Sequence, residues 1–480
     1  MLKRFLSFLL LASMLASIAA CGGTTPADTG NSTDSGDTTP ADTTEAVISH
    51  NIEKCDYNGE AFHILARSSS YNTGYFAEGI TGEVLNDAVY RRETLVEEYL
   101  GIDITNHIHD GANVLSAVQE DVLSNNGEYD LVLTSPTHGL HGMVTGGLLY
   151  NWNDLEYVDL DQPYWNQECN ETLAVDGKQF YTYSDFQLGN VFVTYFNKDM
   201  IDKYDLENPY DLVRSGVWTY DKVGEMGKVA TDDLNGDTVM DLNDQYGVAS
   251  MISVQTIAMN YSGGVRTCEP NTLELVINSE RMVELVETID QLFNKSGISY
   301  VFGEGTPSAE RLYVSSGRVL FDFDRTDYLR SRYRDSNVNI GVVPYPKLDA
   351  NQEEYMTMNW RGLMCIPKTV TNPDMTGKAI ELLSYYSAET TIPAFYDMTM
   401  GDKYSRDEDM REMLDYAFNH ISFDAGVHYF GLTDEMQDLC YTMYGIVAGD
   451  SLEWASFYAA RETNAKKIIA DFLDAVESNY

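Results

Sequence analysis

Between Gly177 and Met200 the chain reads as two aromatic, β-branched strands held apart by a polar break at Ser184 to Asn190, with a helix start after Asn197. That is the pattern of a chain that crosses between two lobes and places polar and aromatic side chains in the crevice between them. Asp185 and Phe186 are the candidates such a crossing supplies for binding.

The stretch before the crossing fits one of those lobes. Ala61 to Ala66 is a short apolar strand, Leu85 to Leu100 an amphipathic helix stopped by Gly101, and Ile102 to Ile104 a second strand. Gly111 to Leu123 is a further helix and Tyr129 to Leu133 a third strand. Strand, helix, strand, helix, strand implies a parallel sheet with helices on both faces. Polar residues just after such strands sit at the carboxyl edge, where open sheets bind ligands. Arg67 and Ser70 follow the first strand, and Ser135, Thr137 and His138 the third. His107 and His109 share a face of the second strand and read as a solvated strand end.

Four local strings resemble one family. They are Tyr129-Asp130-Leu131-Val132 with Gly146-Gly147-Leu148-Leu149, Tyr195-Phe196-Asn197-Lys198-Asp199, Ser316-Gly317-Arg318 before an apolar strand, and Val343-Pro344-Tyr345-Pro346-Lys347. Together they resemble the solute-binding proteins of ABC importers, in the sugar-binding group that includes maltose-binding protein. The resemblance implies an α/β, two-lobed periplasmic-binding-protein-like fold of type II, each lobe a mainly parallel sheet flanked by helices. It implies lobe 1 over 55–185 plus about 362–420, and lobe 2 over 186–358 plus about 421–480 with the last helix on it. It further implies ligand contacts at Trp165, at Tyr261 beside Gly263-Gly264, at Asp324 and Arg325 past a strand, and at Asn359 and Trp360 on the return crossing. Trp360 would be either a stacking platform for the C–H face of a sugar or a tryptophan of the hinge core.

The N-terminus agrees with a life outside the cell. Residues 1–20 carry Lys3 and Arg4, an apolar run and small residues, the build of a secretory signal. Ile18-Ala19-Ala20-Cys21 resembles a bacterial lipoprotein box, which implies diacylglycerol on Cys21 and a lasting membrane anchor. Residues 21–50 then form a tether without large apolar residues over most of its length, reaching roughly 25–30 Å. Formal charge is −44, which counts against nucleic acid and anionic lipid and disfavours a strongly anionic ligand unless a local arginine cluster overrules it. The cysteines beyond Cys21 are Cys55, Cys169, Cys268, Cys365 and Cys440, scattered and odd in number, so buried free thiols are expected.

Asp233, Asn235, Asp237, Val239, Asp241 and Asp244 fall at the positions of a calcium loop, although Thr238 stands where such loops have Gly and Asp244 where they have Glu. A structural Ca²⁺ is expected there. Asp322, Asp324 and Asp327 raise a secreted glycoside hydrolase as an alternative, and a surface polysaccharide binder that does not close is another. No nucleophile motif supports an enzyme. The expectation is a monomeric, lipid-anchored receptor that captures a sugar or oligosaccharide by hinge closure and delivers it to an ABC permease.

Overall fold

The crossing at Ser184–Val191 joins two sheets. A computed structural model describes residues 49–67, 74–109, 114–136, 139–359, 362–404 and 407–480, so Cys21, Ser70, Thr137, His138 and Trp360 lie outside the described residues. In chain order the strands are β1 (Glu60–Arg67), β2 (Ile102–His109), β3 (Leu131–Thr134), β4 (Ala174–Val175), β5 (Lys178–Gln179), β6 (Phe192–Asn197), β7 (Tyr246–Met251), β8 (Ser299–Phe302), β9 (Val319–Arg325), β10 (Ile340–Pro344), β11 (Thr357–Met358), β12 (Leu363–Cys365) and β13 (Ile421–Ser422).

Lobe 1 carries a 4-stranded sheet in the order β12-β3-β1-β2 and lobe 2 a 5-stranded sheet in the order β10-β6-β9-β7-β8. β1 runs parallel to β2 and β3, and β7 parallel to β8 and β9. The strands that oppose their neighbours are those that follow a crossing: β6 is antiparallel to β9 and β10, and β12 to β3. The geometry explains this. Arriving from the other lobe, the chain enters at the carboxyl edge, so Phe192 meets Arg325 at the end of β9 and Leu363 meets Thr134 at the end of β3.

The helix signals hold locally. Helix Val84–Leu100 ends at Gly101 with φ 63°, a left-handed stop that glycine adopts freely. Thr219 Oγ1 accepts from Lys222 N and Ser279 Oγ from Met282 N, the caps expected from sequence. The first strand of the 177–200 stretch is less regular than expected: past β5 it contributes only the single bridges Thr182 to Met364 and Ser184 to Trp165. The histidine expectation also changes, because His107 Nε2 lies 3.0 Å from His63 Nδ1 across the β1–β2 pair. Cys169, Cys268, Cys365 and Cys440 are buried free thiols and Cys55 is half-buried. Among the described residues no helix is long and apolar enough to cross a membrane.

Two C-terminal elements sit opposite to expectation. Helix Glu408–Asn419, placed by sequence in lobe 1, packs on β10 in lobe 2. The terminal helix Glu462–Asn479, placed in lobe 2, packs on Leu140–Thr145 in lobe 1, where Asn479 Nδ2 donates to Thr145 O at 2.8 Å and Leu149 N to Tyr480 Oη at 3.1 Å. Periodicity shows that a helix buries one face but not which lobe receives it.

The crossing is pinned to lobe 1 by a buried arginine. Arg92 donates to the carbonyls of Tyr75 (2.5 Å), Gly74 (3.3 Å) and Phe186 (3.4 Å) and lies 4.6 Å over the Phe186 ring. Glu93, 3.3 Å away, balances its charge, and burial pushes the Glu93 carboxyl up to about 7. Removing one member of a buried pair strands the other. Arg92→Met should therefore cost about 3–5 kcal/mol in urea unfolding followed by tryptophan fluorescence. A loss below about 1 kcal/mol would show that the crossing does not depend on this contact.

Candidate functional site at the lobe junction

Three segments far apart in sequence meet where the lobes join. Val191 bridges Asn359, and Thr326 N donates to Val191 O at 3.0 Å. Asn190 ties them together: its N–H donates to Asn359 Oδ1 at 3.1 Å, and its Oδ1 accepts from Thr326 Oγ1 (3.3 Å) and Asp327 N (3.2 Å). Thr357 Oγ1 accepts from Phe192 N at 3.2 Å and donates to Phe192 O at 2.6 Å. β11, which carries Thr357, pairs with β13, so the chain near residue 421 joins the same junction.

Several residues expected to bind ligand border this place. Asp185 is half-buried on the crossing, and Asn359 is buried within the Asn190 network. Arg325 closes β9, half-buried, with Nη2 donating to Tyr328 Oη at 2.9 Å and Nε 3.6 Å from Asp327. Ser135 directly follows Thr134, the partner of Leu363, and the β1–β3 register brings Arg67 level with Thr134. Both therefore stand on the edge of lobe 1 that faces the return crossing.

Others are engaged elsewhere. Trp165 is 2% exposed, with its indole N–H on Glu381 at 3.0 Å, and Tyr164 donates to the same carboxylate. Phe186 is fully buried under Arg92. Tyr261, on helix Val254–Ser262, is buried near Asp424, Cys440 and Tyr441. Asp324, 1% exposed, is held by Arg332 at 2.8 Å. These are core positions, and sequence offers no sign that separates a core aromatic or acid from one facing the crevice.

Sequence reasoning missed Asn190 and Gln187. Asn190 has a signal, since an asparagine at the entry to a strand that leaves one sheet for another meets unpaired backbone groups that its amide can bond. Gln187 is 5% exposed, and neither amide atom has a partner. Its Cβ would sit 3.1 Å from a Cβ at Gly362, where φ is 85°, so only glycine fits the return crossing there.

The Asp233–Asp244 loop folds on itself. Asp233 accepts from Gly236 N and Thr238 N, both at 2.7 Å, while Asp244 accepts from Leu234 N (3.0 Å) and Asp241 N (2.7 Å). Asn235, Asp237 and Asp241 likewise accept from Asp237 N, Val239 N and Asn243 N. Among the described residues no three His, Cys, Asp or Glu side chains gather as a metal would need.

The chain matches no sequence-family model and no curated protein. Solved structures do match it. An ABC substrate-binding protein of Listeria monocytogenes in complex with cycloalternan is 13% identical, with 88% of this chain and 98% of that one covered at a TM-score of 0.52. A solute-binding protein of Thermotoga lettingae bound to α-D-tagatose is 12% identical, with 86% and 100% covered at 0.55. UgpB of Mycobacterium tuberculosis with glycerophosphocholine is 14% identical, with 81% and 95% covered at 0.54. The chain has the two-lobed fold of ABC-transporter solute-binding proteins. At these identities the likeness carries the architecture, and the site has to be argued from this chain's own residues.

Two of the three carboxylates that suggested a hydrolase, Asp322 and Asp324, are sealed inside lobe 2, while Asp327 is half-buried beside Asn190. Tyr333 donates to Asp322 at 2.6 Å, and Arg332, gripping Asp324, is stacked between the rings of Tyr313 and Tyr328 at 3.6 and 3.5 Å. Burial pushes both acids above the usual carboxylate range, and for Asp322 the charge of Asp324 adds to it. A carboxyl whose pKa is raised on folding holds its proton more tightly in the folded chain. Its contribution to stability is then present at low pH and lost as pH climbs through the raised value. From about pH 4 to about pH 7 these acids should make the chain lose stability in urea titrations, and Asp322→Asn should lose less over the same range. An equal or steeper loss in the variant would rule out proton uptake by this pair.

Proposed function

We propose that the chain is an extracellular, lipid-anchored solute-binding protein that captures a sugar or oligosaccharide between its lobes and delivers it to an ABC permease. The observation that carries the reading is the junction at Asn190. Two sheets connect through hydrogen-bonded crossings, and the polar residues beside those crossings, Asp185, Gln187, Arg325 and Asn359, come from both lobes. A ligand that touches both walls gains contacts in the shut form that the open form lacks, so it shifts the population toward closure. Solute-binding proteins of this architecture hold cycloalternan and tagatose, which favours a polyhydroxy ligand here. Cys21 supplies the anchor through its lipoprotein box, and the following polar segment supplies reach. Arg67, Ser135, Asp185 and Arg325 are the wall residues assigned to the ligand.

Differential scanning fluorimetry against neutral oligosaccharides, monosaccharides, amino acids and peptides should show stabilisation by several degrees with a saccharide. Small-angle scattering should show a smaller radius of gyration with that ligand. Stabilisation by peptides alone would end the carbohydrate assignment, and hydrolysis of any ligand would replace capture with catalysis.

The acidic loop belongs to the same reading as a structural calcium site far from catalysis. Its carboxylates now bend the loop onto its own backbone, so a cation would have to draw them together. Chelation with EDTA should lower the melting temperature and added Ca²⁺ restore it, while Asp233→Asn should abolish the difference. An unchanged melting temperature on chelation leaves the loop a self-bonded acidic turn.

A further inference from the structure

Arginines near the junction come with carboxylates. Arg325 faces Asp327, Arg332 grips Asp324, and Arg92 sits with Glu93. Arg330 does not. It lies half-buried on the short helix Tyr328–Ser331 of lobe 2, and its Nη1 reaches across to Met398 Sδ at 3.4 Å, a thioether and a weak acceptor. Its Nε is buried with no partner at all. In a chain with 75 acidic and 31 basic side chains, a guanidinium without a carboxylate is conspicuous, because the mean field would draw one to it.

The crossing that packs beside this seam has an unmet group of its own. Met398 is on Thr391–Tyr404, which packs on helix Val84–Leu100 of lobe 1. It rests on the small apolar cluster of Ala77, Leu85, Val89, Ala394 and Phe395, and so does Leu188 of the crossing. The residue before Leu188 is Gln187, whose main chain is fixed by its N–H on Ser184 O (3.0 Å) and by Tyr183 Oη on its carbonyl (3.1 Å). Its buried carboxamide nevertheless has neither donor nor acceptor satisfied. A buried amide held rigidly with both ends open is rare, because it could be replaced by an apolar side chain at lower cost.

We infer that the ligand is an acidic polyol, its carboxylate or phosphate group taken by Arg330 while Gln187 bonds neighbouring hydroxyls from the crossing. The inference rests on the solute-binding reading and narrows its ligand. A guanidinium presents a planar fork that matches carboxylate and phosphate oxygens in pairs, whereas a neutral hydroxyl meets one donor at a time. The carboxamide offers one donor side by side with one acceptor, which suits a vicinal diol. The acidic surface repels anions in general, so a local two-point grip is what could hold one.

Isothermal titration of the full chain with maltotriose, trigalacturonate and glucose 6-phosphate separates neutral, carboxylate and phosphate chemistry. One of the two anionic probes should bind on the order of tenfold or more tightly than maltotriose. Arg330→Gln should remove that advantage, Arg330→Lys should keep part of it, and Gln187→Leu should weaken every probe. If maltotriose binds at least as tightly as both anions, or if Arg330→Gln binds the anion as well as wild type, the acidic-ligand inference fails while the receptor reading stands. Binding of none of the three, with no saccharide active in the wider fluorimetry panel, removes the receptor reading itself.

Discussion

Asn190 is the contact on which the two-lobed arrangement depends. Where a chain leaves one sheet and enters another, the ends of the strands present backbone N–H and C=O groups that no ladder pairs, and burying them unpaired is costly. Asn190 and Thr357 meet that demand with short side chains, binding the ends of β6, β9 and β11 into one knot. The same constraint sets the topology. Since each crossing enters at a carboxyl edge, β6 and β12 must oppose their neighbours, and the cross-chain registers at Phe192–Arg325 and Leu363–Thr134 follow.

Much of this was legible because it is local. Caps at Thr219 and Ser279, the stop at Gly101 and the polar break at Ser184 to Asn190 all state their meaning within a few residues. The lobe that receives a helix is not local information. Helices Glu408–Asn419 and Glu462–Asn479 have clear apolar faces, yet the surface each one covers is set by loops whose path leaves no periodic trace. The candidate site was legible to the same degree. Arg67, Ser135 and Arg325 are strand-end residues, and strand ends can be read; Trp165 and Asp324 look no different in sequence but point into the interior, onto Glu381 and Arg332.

The buried charges divide along the same line. Arg92 with Glu93, and Arg332 with Asp324 and Asp322, are enclosed in the packing of a single lobe or hold the crossing from behind. There they act as rigid fasteners, since separating a buried ion pair leaves uncompensated charge in a poor dielectric. Glu381 does similar work without a cation, anchoring Tyr164 and Trp165 through a carboxyl that burial has pushed up to about 7.

The knot itself is built from neutral groups: two asparagine amides, two threonine hydroxyls and backbone. That is the chemistry a hinge requires. An amide hydrogen bond that lengthens by a few tenths of an ångström during a rocking motion loses part of a modest energy, whereas a buried ion pair stretched by the same amount loses far more, because charge interactions are strong where water is excluded. In the proposed receptor, fasteners made of charge inside the lobes and a pivot made of amides between them would let the walls move as units. In such a receptor, a charged group beside that pivot without a carboxylate partner, as Arg330 is, would cost little to reposition and could answer to a ligand between the lobes.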